Sequence, residues 1–402
     1  MIARYGVGVL LVFLALLPFG RASELALLLG AALGLVVFFA KDRHLRNDPR
    51  LPLLLALFLG YWLPQLFSAF DAVAPAKAWS EVLADLRLLP FGFFALAALP
   101  DRIALRRLML GAGLILAVFT VDALIAAVAG RGLGGPEAAD RLSGIFGADN
   151  LKLGPTLAVL SPLLLWPLSE RFGVRGGAIA LLALGMVVLL AGARAGWLMF
   201  ALVSLAWLFA FSPRAKRPFA LIGALLIGGG VVVLAATLSE RFAARIERTA
   251  LILRGETAAV DEALAHRLPI WRAALAMYAE HPLNGVGVRG FRYAYPRHAE
   301  PEDRWVGFSG DPAQGAFHAH QLVLELASET GTLGLACWLI ALLKAIRAWR
   351  QSHPEVRRDA WPFALVLLVM LFPLNTHFAF YSSFWGTLFW WLLALYAAAL
   401  RR

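Results

Sequence analysis

The chain has 402 residues, 60% of them hydrophobic and only 16% charged, with a mean hydropathy of +0.73. Soluble domains are nearer half apolar and a quarter charged, so this composition excludes a separately folded soluble domain and leaves one membrane-embedded unit over 1–402. The formal charge of +11 does not indicate nucleic acid, because Lys and Arg fall in short clusters between apolar runs and build no basic domain.

A spanning helix takes about 20 apolar residues. Runs of this kind lie near 5–20, 24–40, 51–70, 84–100, 108–130, 155–169, 178–193, 197–211, 219–237, 325–346, 360–376 and 384–400. The expected fold is therefore an all-α integral membrane protein of about twelve transmembrane helices. The first run follows Arg4 and is read as a span rather than a secretion signal, since a second apolar run follows it at once. Residues 71–87 alternate apolar and charged side chains and predict a short interfacial helix. The long segment 238–320 is expected to be helical over 238–254 and 263–280, and irregular over the Gly-, Pro- and aromatic-rich stretch 281–316.

Basic residues alternate along the connections. Lys41, Arg43, Arg46 and Arg50, then Arg102, Arg106 and Arg107, then Arg171 and Arg175, then Arg214, Lys216 and Arg217, then Arg347, Arg350, Arg357 and Arg358, and finally Arg401 and Arg402 form one set. The intervening short connections are poorer, with Arg21, Lys77, Arg87, Arg131, Arg141, Lys152 and Arg194 spread among them. The positive-inside rule makes the first set cytoplasmic, with both termini inside and 131–154, the turn at Arg194 and the large loop 238–320 outside. Long loops escape that rule, so the arginines of 238–320 do not conflict with it.

The polar residues that could do chemistry gather in those outer segments. Phe317-His318-Ala319-His320-Gln321-Leu322-Val323-Leu324-Glu325-Leu326-Ala327-Ser328-Glu329-Thr330-Gly331-Thr332-Leu333-Gly334 stands where the large loop re-enters the membrane. An imidazole at that lip can take a proton from a hydroxyl, or can simply cap the helix. His318 and His320 lack a third ligand nearby in sequence, and His281, His298 and His377 would serve only if folding brought them close, so no metal is expected. The lone Cys337 allows neither an intrachain disulfide nor a cysteine zinc site. Arg194 lies in a turn almost without other polar residues, either as an anchor for the interface or as a functional charge. Arg267 and Arg272 flank Trp271, and Arg289 and Arg292 follow in a glycine-rich stretch. Several guanidinium groups converging at a lipid boundary suit a phosphate or pyrophosphate; a solvated loop charge is the alternative for Arg272 and Arg292. Gly285-Val286-Gly287-Val288-Arg289-Gly290 matches a dinucleotide fingerprint in letters only, outside any βαβ unit; its glycines are expected to serve a tight turn and close backbone approach. Asp122, inside the fifth span, is either part of a proton relay or paired with a polar neighbour. The spans lack the paired, broken helices of a transporter, which stays as the alternative from another class.

These segments resemble the O-antigen ligase and polymerase superfamily. His320-Gln321 through Gly334 is similar to that family's His-Asn … Leu-Glu … Glu-x-Gly-x-x-Gly element, with Gln321 where the family usually has Asn. Arg141-Leu-Ser-Gly-Ile-Phe-Gly-Ala-Asp-Asn150 resembles its Arg-x-Ser-Gly-x-Phe … Asn element, and Arg194-Ala-Gly its Arg-Gly/Ala turn. Arg267 through Trp271, followed by His281-Pro-Leu-Asn-Gly285-Val-Gly287, resembles its Arg … Trp … Pro-x-x-Gly-x-Gly element. The resemblance implies an inner-membrane glycosyltransferase that takes a glycan from undecaprenyl pyrophosphate at the periplasmic face, inverting and without metal or cofactor. A ligase passes it to lipid A–core in lipopolysaccharide biosynthesis; a polymerase, the nearest alternative, extends the lipid-linked chain. The implied partners are the lipid-linked glycan, lipid A–core and membrane lipids. On this resemblance His320 is the general base and Arg194 and Arg267 serve the leaving pyrophosphate. Arg141, Arg289, Gln321, His318, Trp271 and Asn150 are expected to bind substrate.

Overall fold

The computed structural model describes residues 2–40, 44–137, 141–148, 150–238, 240–251 and 257–400. Lys41, Arg43, Arg401 and Arg402, which enter the charge pattern, lie outside the described residues. The regular structure of the described chain is almost wholly α-helical, with one two-stranded hairpin pairing β1 (Arg131–Gly132) antiparallel to β2 (Gly135–Pro136). In order the helices are α1 (Ile2–Ala15), α2 (Ala22–Phe38), α3 (Leu51–Ser68), α4 (Pro75–Asp85), α5 (Leu88–Ala98), α6 (Arg102–Ala129), α7 (Leu153–Leu160), α8 (Pro162–Leu190) and α9 (Arg194–Phe211). They continue with α10 (Arg217–Leu238), α11 (Glu240–Ala250), α12 (Thr257–Ala263), α13 (Leu268–Glu280), α14 (Phe291–His298), α15 (Leu322–Gln351), α16 (Pro354–Met370) and α17 (Ser383–Ala399).

Among the described residues, six helical segments are long and apolar enough to cross a membrane: Leu51–Ser68, Arg102–Ala129, Pro162–Leu190, Arg194–Phe211, Arg214–Thr237 and Leu322–Gln351. Tyr5–Ala15, Ala22–Phe38 and Ser383–Ala399 are shorter apolar helices. The protein is thus an all-α, multi-pass membrane protein, and each expected run overlaps helix. The runs 155–169 and 178–193 both reach α8, which is broken at Gly173 (φ 68°, ψ −171°).

A helix apolar on every side belongs in the interior, and α17 is the clearest case, buried from Trp385 through Ala399. Its indoles settle their polar atoms on neighbouring helices: Trp391 Nε1 donates to the Leu10 carbonyl at 3.2 Å, and Trp390 Nε1 to that of Leu88. Arg50, itself buried, closes the ends of two helices. It donates to the carbonyls of Leu96 (3.0 Å), Leu99 (2.8 Å) and Ala398 (3.2 Å) and pairs with Asp48. Cations are favoured at helix C-termini, where carbonyls lack partners.

The 238–320 segment departs from expectation in two places. The helix expected over 263–280 begins only at Leu268, as α13, because Ala265 and His266 take positive φ (58° and 57°) and separate it from α12, which ends at Ala263. The stretch 281–316, expected to be irregular, contains α14. This helix packs Phe291, Ala294 and Tyr295 inward with Ile270, Met277 and Ala319, and tertiary burial overrides the modest helix propensity of its aromatic residues. A short helix is present within 71–87, as α4. Asp122 pairs with a polar neighbour, its Oδ1 accepting from the Leu133 N–H at 2.7 Å and tying α6 to the hairpin.

The loop 282–287 docks where α15 breaks at Gly331 (φ 63°). The break frees carbonyls that the loop satisfies: Val286 N–H donates to Ser328 O (2.8 Å) and Gly287 N–H to Glu329 O (3.0 Å). In return Thr332 N–H donates to Pro282 O (2.9 Å) and Leu333 N–H to Leu283 O (3.1 Å). A Cβ on Gly331 would stand 2.2 Å from the Leu283 carbonyl oxygen. Gly331→Ala combines this clash with a left-handed conformation, and is expected to destabilise the protein by about 2 kcal/mol or more. A lowered unfolding temperature in detergent checks this. The control is Gly223→Ala, where an added Cβ meets nothing within 4 Å and no such loss is expected.

Candidate functional site

The polar groups of the large loop meet the 371–382 connection between α16 and α17 at the end of the bundle where α15 begins. Arg267 precedes the first turn of α13, and its Nη1 donates to Thr376 Oγ1 at 2.5 Å. The backbone carbonyl of the same threonine lies 3.2 Å from His320 Nδ1. Thr376 therefore bridges the guanidinium and the imidazole. A carbonyl can only accept, so Nδ1 carries the proton and the lone pair is left on Nε2. His320 is held in the left-handed region (φ 54°) just before Gln321 caps α15. The His318 ring lies beside it, centroids 3.8 Å apart.

Burial, then the charge of Arg267, pushes the His320 imidazole down to about 3, against a smaller opposing effect of the Thr376 carbonyl. Burial likewise lowers His377 to about 4, with Arg267, Arg141 and Lys152 adding to it. Burial and the neighbouring Arg194 lower Arg267 to about 10, which leaves it charged at neutral pH. His318 is held well below the usual histidine range, first by burial and then by His320 and Arg289. One positive field thus covers Arg141, Lys152, Arg194, Arg267 and the three imidazoles. Arg194 opens α9 and donates through Nη1 to the Ala263 carbonyl at the end of α12. The Arg245 guanidinium lies against Gly192, where any Cβ would collide with it. Sites of this kind favour an anion with several oxygens.

Not every expected residue points its polar atoms into this space. Gln321 Oε1 accepts from Leu324 N–H at 2.6 Å as the cap of α15, which leaves its amide N–H groups for other use. Asn150 spends both ends on its own loop, donating to Phe146 O (3.1 Å) and accepting from Lys152 N–H (3.1 Å). Trp271 Nε1 is buried without a hydrogen-bond partner among the described residues. The Arg289 backbone N–H donates to Glu329 Oε2 at 2.8 Å, which fixes the turn that carries its side chain. Arg272 is an exposed partner of Glu300 (3.0 Å), and Arg292 stacks over Phe317 at 4.6 Å.

Thr376 is not among the residues expected from the sequence, and His377 enters that expectation only as a conditional metal ligand. A signal is nevertheless present, since Asn375-Thr376-His377 is a polar triplet within a long apolar stretch. Glu325 and Glu329, one helical turn apart and fully buried, also carry no role in the sequence reading. Glu325 Oε1 accepts from Tyr381 N–H at 3.3 Å while Glu329 holds Arg289, so the two carboxylates pin both walls of the site to α15. Among the described residues, no three His, Cys, Asp or Glu side chains gather as metal ligands would.

Residues 179–339 match the family model described as O-antigen ligase. The match takes in Arg194, Arg267, Arg289, His318, His320 and Gln321, and leaves Arg141, Asn150 and Thr376 outside it. No curated protein matches the chain.

Proposed function

We infer, for a chain whose residues 179–339 match the O-antigen ligase family model, that the protein is an O-antigen ligase. In this reading it transfers a glycan from undecaprenyl pyrophosphate to lipid A–core at the periplasmic face of the bacterial inner membrane. The observation that carries it is the Thr376 bridge, which puts a neutral imidazole with its lone pair on Nε2 beside a buried guanidinium.

The proposed topology has twelve spans with both termini cytoplasmic, and 238–320 as a periplasmic loop carrying the site. The placement of charges supports it. Arg102, Arg106, Glu170, Arg358 and Asp359, from connections assigned to the cytoplasm, line one small hollow, where Arg102 pairs with Asp359 at 2.7 Å. The Arg267–Thr376–His320 group belongs to connections assigned to the other side.

The acceptor sugar hydroxyl attacks the anomeric carbon of the donor from the face opposite the pyrophosphate. Its proton passes to His320 Nε2, the new C–O bond forms, and the bond from the anomeric carbon to the phosphate oxygen breaks with inversion. Undecaprenyl pyrophosphate leaves with the electron pair, stabilised by Arg267 and Arg194 with Arg141 and Arg289 around it. Pyrophosphate is already a good leaving group, so no general acid is required. Arginine donors carry out the charge neutralisation that a divalent cation supplies elsewhere.

Protonating His320 removes the base, so activity falls on the acid side. With the free imidazole near 3, the acid limb of kcat/KM is expected below about pH 4. Bound pyrophosphate offsets the charge of Arg267 and makes the imidazole more basic, so the acid limb of kcat is expected at higher pH. Profiles of both constants over pH 3–8 check the order of the two limbs.

The reading is tested by reconstituting purified protein with undecaprenyl-pyrophosphate-linked glycan and lipid A–core. Glycosylated lipid A–core is the expected product. Lengthening of the lipid-linked glycan with lipid A–core untouched would instead identify a polymerase.

A further inference from the structure

The end of the large loop leaves aromatic side chains exposed, Phe308 by 54% and Phe317 by 39%. Trp305 meets Phe308 edge to face (centroids 5.0 Å apart), and Phe308 meets Phe317 in the same way (5.7 Å). The Arg292 guanidinium lies 4.6 Å from the centre of the Phe317 ring, and its side chain has no hydrogen bond or ion pair among the described residues. The loop that presents these rings is fixed. Gly307 N–H donates to Gln314 O (2.7 Å) and Gly315 N–H to Arg292 O (2.8 Å). Trp305 N–H donates to Asp303 Oδ1 (2.8 Å), while Asp303 Oδ2 accepts from the Tyr295 hydroxyl (2.9 Å).

The aromatic group is tied to the polar site at two points. The Trp305 indole donates to the carbonyl of His266 (2.7 Å), the residue before Arg267. Phe317 stands next to His318 and three residues before His320. Exposed aromatics on a fixed loop beside a reactive group mark a binding surface. A pyranose presents a face of C–H groups that stacks on an aromatic ring and leaves its hydroxyls at the edge. A cation at that edge selects a sugar that carries an oxyanion. In the functional reading above, on which this rests, Arg267 and Arg194 are taken by the donor pyrophosphate, so a cation at Phe317 is left for the other substrate. We propose that Trp305, Phe308 and Phe317 form a stacking platform for a pyranose of the acceptor, with Arg292 holding a phosphate or carboxylate on that sugar while the attacking hydroxyl reaches His320.

The test titrates the full-length protein in nanodiscs, without donor, with the oligosaccharide freed from lipid A–core. Phe308→Ala and Arg292→Gln are each expected to weaken its binding about tenfold, with affinity for undecaprenyl pyrophosphate unchanged. Removing the phosphates of the oligosaccharide, or reducing its carboxylates, tells the two anions apart. Weaker binding in either arm, not weakened further by Arg292→Gln, supports the proposal and identifies the group. Unchanged binding in both arms, or unchanged binding by Phe308→Ala, overturns it. A benzophenone side chain placed at position 308 gives a second measurement. Photocrosslinking to the oligosaccharide supports the platform, while crosslinking to phospholipid alone overturns it and makes the aromatic group a membrane anchor. Wild-type protein that binds the oligosaccharide at this loop but transfers nothing to lipid A–core would count against the ligase reading and leave the platform standing.

Discussion

Arg267→Ala is expected to lower kcat/KM by about 10²–10³-fold, the usual effect of removing one preorganised donor to a developing anion. Arg267 is largely buried beside Arg194, and its Nη1 is committed to Thr376. In the proposed reading the substitution removes a charge from the pyrophosphate site and also releases Thr376, whose carbonyl holds His320. Both donor affinity and turnover are expected to fall. Arg267→Lys keeps the charge but loses the planar fork that can hold Thr376 and a phosphate oxygen together, so it is expected to restore donor binding in part and turnover poorly. Titration of labelled donor beside steady-state kinetics separates these effects. Thr376→Val, which keeps the carbonyl and loses the hydroxyl, is expected to fall between Arg267→Lys and wild type.

His320→Ala is expected to lower kcat by about 10²–10⁴-fold, the range that a positioned base contributes, with donor affinity kept. The imidazole contributes no charge at neutral pH, because burial and Arg267 hold it neutral. Removing it takes nothing from the attraction for pyrophosphate and leaves Arg267 and Arg194 in place. The split between binding and turnover distinguishes a base from a capping residue, whose loss would loosen α15 and reduce both together. His318→Ala is expected to act more weakly, through the ring contact that supports His320.

Much of this arrangement is legible in the sequence. The helical runs stand out because a span must be apolar along its whole length; Arg194 and His320 stand out as polar residues near the ends of such runs, and Arg267 as a cation close to Trp271 within the large loop. What stays hidden depends on contacts distant in sequence. Thr376 is a short polar residue at the edge of an apolar run, and only folding shows that it joins positions 267 and 320. The motif residues Asn150 and Gln321 stand out in sequence as Arg267 does, but both ends of the Asn150 amide and the oxygen of Gln321 are used on nearby backbone. Helix α14 is obscured by the aromatics and Pro296 in Phe291–His298, whose burial against α13 decides its conformation.

The most direct test of the account is single-turnover transfer by His320→Ala already loaded with donor. The account predicts that the donor stays bound while transfer to lipid A–core slows at least about a hundredfold against wild type. Transfer at the wild-type rate from that loaded complex would contradict it.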